Sequence, residues 1–358
     1  MKKYSLYSLS SDVLAIGLVA VVACTFWSGQ TVAHENHQQE HQHGTKFTTM
    51  NLDKLQQSVV GLQYLNPEQD IGALRRALEN YAVNTTEEQL RRDYWLARVQ
   101  QHQHDFDAAS QTIERAIKET PRDPDLLLLK ASVLNNLGKH LQALDACKPL
   151  LGVVDDAVVT ACVVDARAQH DPDNIDIYYR DLVQMAQRSS VSLAQQRVWI
   201  NQILAELALK MRQPEKAQHH IRDLLLPEAP VSAIALWADV EIELGHHQQV
   251  LNSLQELVEG QQRIDDALLL RLAMAEKLSA KGDKWLNAMR QRIGQRSASH
   301  NYAHAGELSK FYLYVEPDPD KAIYWAKINY RHAKSEMDAA LLVAAKTLAR
   351  RALCCWTV

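Results

Sequence analysis

Residues 93–121, DYWLARVQQHQHDFDAASQTIERAIKETP, decide the fold. Small and apolar residues stand at Leu96, Ala97, Phe106, Ala109, Ile113 and Ala116, and Pro121 closes the run. The following stretch repeats the arrangement 34 positions on: Ala97 lands on Ala131, Ala109 on Ala143, Ile113 on Cys147 and Ala116 on Leu150. A shift of 33 relates Ala205, Arg212, Ala217, Ile221 and Leu224 to Ala238, Gly245, Val250, Leu254 and Leu257. A fixed period in this range marks stacked helical units, each burying its apolar face against its neighbours.

Working outward, helical pattern begins near Leu52. Leu52, Leu55, Val59, Leu62 and Leu65 form one stripe, closed by Asn66-Pro67, and a second helix is expected over about 68–81. Thr85 with Glu88 makes a capping box that opens the next helix. Asp123-Pro124 supplies a cap and a first-turn proline, and Gly138-Lys139 suits a left-handed helix end. Residues 157–189 keep helical pattern around the turn His170-Asp171-Pro172-Asp173-Asn174 but lack the small-residue signature. Ala131 and Ala205 are 74 positions apart, two units of 37, so a degenerate unit fits between them. Later turns are expected at Gly282-Asp283 and at Glu316-Pro317-Asp318-Pro319-Asp320, with a last helix from Met337 to Leu353 capping the array.

The series Leu96-Ala97, Phe106, Ala109, Ile113, Ala116, Pro121, Leu127, Ala131, Gly138, Ala143 and Leu150 resembles tetratricopeptide repeats, over about residues 85–335. Phe311-Tyr312-Leu313, Ala322-Ile323, Trp325-Ala326, Asn329 and Asp338 look similar to the end of exported bacterial repeat proteins. The resemblance implies an all-α, right-handed superhelical solenoid of about six to seven antiparallel helix pairs. It also implies protein or peptide partners held in a concave groove lined by the first helix of each pair. The candidate groove residues are Tyr94, Arg98, Gln101, Asn135, Asn201, Asp239 and Glu243. Amide and charged side chains at these positions suit the backbone of an extended peptide.

The 358-residue chain is 23% charged and 47% apolar, the balance of a folded protein, and its 12 Gly and 10 Pro agree with helices. A formal charge of -4 shows none of the basic excess that nucleic-acid binding needs. Residues 1–33 read as a targeting segment: Lys2 and Lys3 precede the apolar run Val13–Trp27, and Thr31 and Ala33 are small residues placed for cleavage before His34. Cleavage ranks ahead of lipidation at Cys24, in a lipoprotein-like Val21-Val22-Ala23-Cys24, and ahead of an uncleaved anchor. Each places the remainder in the cell envelope or periplasm, with membrane contact only through the N-terminal segment. Cys147 and Cys162 would lie on consecutive helices; a disulfide is open to them, but small buried residues are the preferred reading. Residues 354–358 form an apolar tail carrying Cys354 and Cys355, after an array spanning 51–353.

Residues 34–50 are His- and Gln-rich and are expected to be a disordered leader. His34, His37, His41 and His43 are candidate ligands for loosely held zinc, copper or nickel. His37 to His41 also fit the H-x-x-E-H metalloprotease pattern, which needs a rigid helix, a third ligand and a cleft that Gln-rich sequence does not offer. His102, His104, His140, His246 and His247 fall at turns between helices, where polar residues are ordinary; His219, His220, His300 and His304 are expected on surface helices. No phosphate-cradling glycine loop, nucleophile elbow or Cys-x-x-Cys is present. The expectation is a non-catalytic envelope scaffold without a cofactor. The alternative is a metal-homeostasis accessory that uses its leader.

Overall fold

The computed structural model describes residues 47, 50–65, 70–189, 191, 193–261, 263–298 and 304–354, and among them are 17 helices and no strand. In chain order they are α1 (Leu52–Gly61), α2 (Ile71–Glu79), α3 (Thr86–His102), α4 (Phe106–Glu119), α5 (Pro124–Asn136) and α6 (His140–Cys147). There follow α7 (Asp156–His170), α8 (Ile175–Arg188), α9 (Ala194–Lys210), α10 (Pro214–Ile221), α11 (Val231–Glu243) and α12 (His247–Leu257). The last are α13 (Asp266–Ser279), α14 (Lys284–Ala298), α15 (Ala305–Lys310), α16 (Pro319–His332) and α17 (Glu336–Cys354). A π-turn over Phe311–Val315 prolongs α15.

Side chains set most helix starts, because the first N–H groups of a helix need acceptors. The Thr85 hydroxyl accepts from Glu88 N at 3.1 Å, as the capping box predicts, while the Glu88 carboxylate reaches back to Asn84 N rather than to Thr85 N. Asp123 accepts from Leu126 N at 2.9 Å, with Pro124 in the first turn. The second helix is shorter than expected because Asp70 accepts from Ala73 N at 2.9 Å and so begins it at Ile71.

The period of about 34 has a backbone counterpart. Five first helices end in the same left-handed turn, with positive φ at His104, Gly138, Arg212, Gly245 and Ala280. Each closes two reversed hydrogen bonds, such as Lys139 N to Leu134 O with Gly138 N to Asn135 O, and His246 N to Glu241 O with Gly245 N to Ile242 O. Helix α7 departs from this pattern. It stops at Asp171-Pro172, the degenerate unit seen in the sequence.

Seven antiparallel pairs, α3/α4 to α15/α16, stack after the α1/α2 hairpin, and α17 packs on α16. Each first helix also touches the next first helix: α3 meets α5, and the series continues through α7, α9, α11, α13 and α15. The small residues sit where the pattern requires, with Ala97, Ala109, Ala143, Ala205, Ala217 and Ala238 fully enclosed. Cys147 and Cys162 are buried but are not the unbonded small residues preferred from the sequence: a disulfide ties α6 to α7, with Cα atoms 5.9 Å apart.

The stack also closes on itself. Lys334 N donates to Asn136 O at 2.7 Å, Lys210 Nζ pairs with Glu336 at 2.9 Å, and Ala333 shares a core with Ala97, Phe106 and Leu137. At the other end, Val231 N donates to Gln63 O at 2.9 Å, and Leu65 packs against the core formed by α9 to α16.

Candidate functional site

A polar seam runs through the inner layer of first helices. Gln101 on α3 donates to Ser132 on α5 at 2.9 Å, and Asn135 on α5 donates to Asp165 on α7 at 2.9 Å. Gln202 on α9 donates to Ser232 on α11 at 3.1 Å. Asp239 on α11 accepts two bonds from the Arg271 guanidinium on α13, at 2.9 and 2.6 Å. Arg271 then reaches Glu307 on α15 at 3.5 Å. These partners are 30 to 36 positions apart, one repeat, so equivalent faces of successive helices meet.

The seven expected groove residues divide accordingly. Gln101, Asn135 and Asp239 are buried and spent on helix–helix bonds. Tyr94, whose ring meets the Trp95 edge, is half-buried, as are Arg98 and Glu243; burial raises the Tyr94 phenol. Asn201 alone is exposed. Residues 202–209, 233–242 and 266–276 are buried on every side of their helices, so the inner layer there is core.

Ionised groups are concentrated at the C-terminal end of the seam. Burial opposes the charge of Arg271, but Asp239 and Glu307 raise its pKa. Burial pushes Glu307 up, yet Lys310 and Arg271 outweigh it and hold the carboxyl at about 2. Asp266 is likewise pushed up by burial and drawn below the usual carboxylate range by Arg296 and Arg292. Its neighbour Asp265 caps α13 through Ala267 N and lacks such partners, so burial and the Asp266 charge lift it to about 7. On the inner face of α9, burial and then Asp165 raise Glu206 well above its ordinary value.

The histidines are redistributed relative to expectation. His102 and His304 are 1% exposed, not surface residues, and none of their ring nitrogens has a hydrogen-bond partner among the described residues. The His104 ring stacks on Phe106 and lies 5.7 Å from that of His304, where the two ends of the stack meet. His246 Nδ1 bonds Glu241 at 2.7 Å, His140 lies 3.4 Å from Asn135 Oδ1, and the Tyr179 hydroxyl bonds His220 at 2.8 Å. His300, the leader histidines His34, His37, His41 and His43, and Cys24 lie outside the described residues. Among the described residues no three His, Cys, Asp or Glu side chains converge as metal ligands would. No described helix is long and apolar enough to cross a membrane.

Arg271, Glu307 and Asp266 were not singled out from the sequence, and His304 was expected on a surface helix but is buried. Opposite charges one repeat apart, Asp239 with Arg271 and Asp266 with Arg296, were the available signal.

No protein-family model and no curated protein matches the sequence. Solved structures similar to it include the following two. A thermophilic TPR protein of Thermus thermophilus is 20% identical, covers 53% of this chain and 98% of its own, and superposes with a TM-score of 0.44. A tetratricopeptide repeat protein of Parabacteroides merdae is 14% identical, covers 73% of this chain and 98% of its own, with a TM-score of 0.41. The stack of antiparallel helix pairs stands on this chain's own helix contacts.

Proposed function

We propose that this chain is a non-catalytic scaffold that engages protein partners in the bacterial cell envelope. The observation that carries the reading is the stack of helix pairs, whose outer helices and turns present side chains along its length. Leu141, Leu151, Val153, Ile177, Leu193 and Leu225 are large apolar residues left exposed between positions 141 and 225. Exposed apolar side chains that adjoin in one patch mark a surface where partner chains bind, and crosslinking reads whether these do. The test is a photo-crosslinking residue placed at Leu151, Ile177 or Asn201 in the producing cell. Adducts to a common partner are expected at neighbouring positions. Adducts at none of the three would end the proposal.

Export is supported by the disulfide between Cys147 and Cys162, a bond that persists in oxidising compartments. Protein taken from the envelope fraction and denatured without reductant should leave both thiols unalkylated. Alkylation of both would place the chain in a reducing compartment.

A second reading, metal-homeostasis accessory, is favoured by the four histidines His34, His37, His41 and His43 within ten residues. Calorimetric titration of the purified protein with zinc, copper and nickel, beside a deletion of 34–44, decides it. Binding that is absent, or that survives the deletion, removes this reading.

A further inference from the structure

Three histidines gather where the last pairs of the stack fold back onto the first. His102 ends α3 and His104 holds the left-handed turn after it. His304 precedes α15, also with positive φ, and its ring faces that of His104. The same junction is fastened by the Lys334 N to Asn136 O bond and the Lys210–Glu336 pair. Gly138 completes it: a Cβ there would stand 2.8 Å from the Lys334 carbonyl oxygen, closer than real contacts allow. From this geometry we infer that the junction is an acid-opened latch, closed while its imidazoles are neutral and released when they take up protons.

The chemistry follows from what surrounds each ring. His102 is enclosed, and the other two imidazoles and Arg98 disfavour its protonation further. Burial leads at His104 too; Glu307 and Asp338 favour the charged form there, while His332 and Arg296 oppose it. Around His304, burial outweighs the favourable Asp266 and Glu307, with Arg296 and His104 opposing, and holds the ring at about 3. All three are therefore depressed below the ordinary value of about 6.5. Released from the junction, each would regain that value. Stability of the closed form is then complete above about pH 6.5 and declines as the pH falls. Each imidazole that must stay neutral when closed and charges freely when open shifts the equilibrium by up to about tenfold per pH unit. Three give up to about a thousandfold per unit. Opening would uncover the end of the seam that carries Gln101 and Asn135. The inference concerns the chain alone and does not depend on the identity of any partner.

The test follows amide exchange of residues 333–338, corrected for intrinsic rate, together with the small-angle scattering radius, from pH 7.5 to 4.5. Circular dichroism tracks helix content throughout. The wild type should lose protection by more than tenfold per unit below pH 6.5, and expand, at constant helicity. The double variant His104→Gln/His304→Gln should retain at most a tenfold slope. Gly138→Ala should be open already at pH 7.5, whereas Gly245→Ala, at an equivalent turn with nothing within 4 Å, should stay closed. Unchanged protection across the range, an undiminished slope in the double variant, or helix loss accompanying the opening would each overturn the latch. Should the double variant not fold, the contrast between Gly138→Ala and Gly245→Ala decides: equal protection at pH 7.5 refutes it.

Discussion

Helices α8 and α11 are nearly equal in length and belong to the same stack, yet they bury their residues differently. In α8 only Ile175, Tyr178 and Leu182 are buried, along one face. In α11 everything from Ala233 to Ile242 is buried, Asp239 and Glu241 included. The outer helix is amphipathic and borders solvent; the inner one is surrounded. Layer, more than local sequence, thus determines what a substitution costs.

The buried ion pair offers the sharpest way to break that comparison. Arg271→Met would strand Asp239 without its cation and leave Glu307 with Lys310 alone, and a loss of about 3–5 kcal/mol is expected from chemical denaturation. The exposed pair Arg180–Asp176 on α8 serves as the counterpart; Arg180→Met should cost at most about 0.5 kcal/mol. Comparable losses for the two would dissolve the distinction between layers.

A similar contrast holds for apolar side chains. Leu236→Ala, inside α11, should cost about 3 kcal/mol in the same measurement, the lost burial of the removed carbons plus the cavity left behind. Ile177→Ala, on the open side of α8, should cost well under about 1 kcal/mol.

Titration sharpens the picture within the inner layer. Asp265 stays protonated in the fold up to about pH 7, whereas an unfolded aspartate ionises near 3.9. Its folded pKa is raised, so it takes stability away as the pH climbs from about 4 to 7. Asp265→Asn keeps a cap for Ala267 N and should flatten that part of the profile, gaining on the order of 1 kcal/mol at pH 7.5 relative to pH 5. An unaltered profile would mean that Asp265 ionises freely in the fold.

The smallest effect concerns the repeated turn. Arg212 occupies a left-handed position that Gly138 and Gly245 hold in other pairs, and its side chain is exposed. Arg212→Gly should add up to about 1 kcal/mol of stability, read as a higher denaturation midpoint. A decrease would show that the side chain contributes more than the backbone strain costs.

Much of this architecture is legible in the residues themselves. Alanines at 97, 109, 131 and 143 are small because backbones meet there, and helix caps such as Thr85 and Asp123 act within three or four positions. Gly138 announces a turn for the same local reason, though His104, Arg212 and Ala280 adopt it without advertising it. The burial of Gln101, Asn135 and Asp239 was not legible, because it depends on which helices close over the inner layer, and contacts such as Gln63–Val231, Asn136–Lys334 and Lys210–Glu336 join partners that share no spacing rule. Helical periodicity places Gln101, Asn135 and Asp239 on the inner face but leaves open whether that face meets solvent or another helix. The run VSAIALWADVEIE of α11, apolar on all sides, was the available hint.

The junction between the α5–α6 turn and Lys334 bears on how the molecule comes apart. A linear stack of repeats frays from its ends, since a terminal unit has a neighbour on one side only. Here an early pair and the last ones support each other, which removes the weakest starting points for stepwise melting. Unfolding should consequently be more all-or-none than the number of units suggests. The same contacts join residues about 200 positions apart in the chain, as in Asn136–Lys334, so closure must await synthesis of Lys334 and forms late in folding.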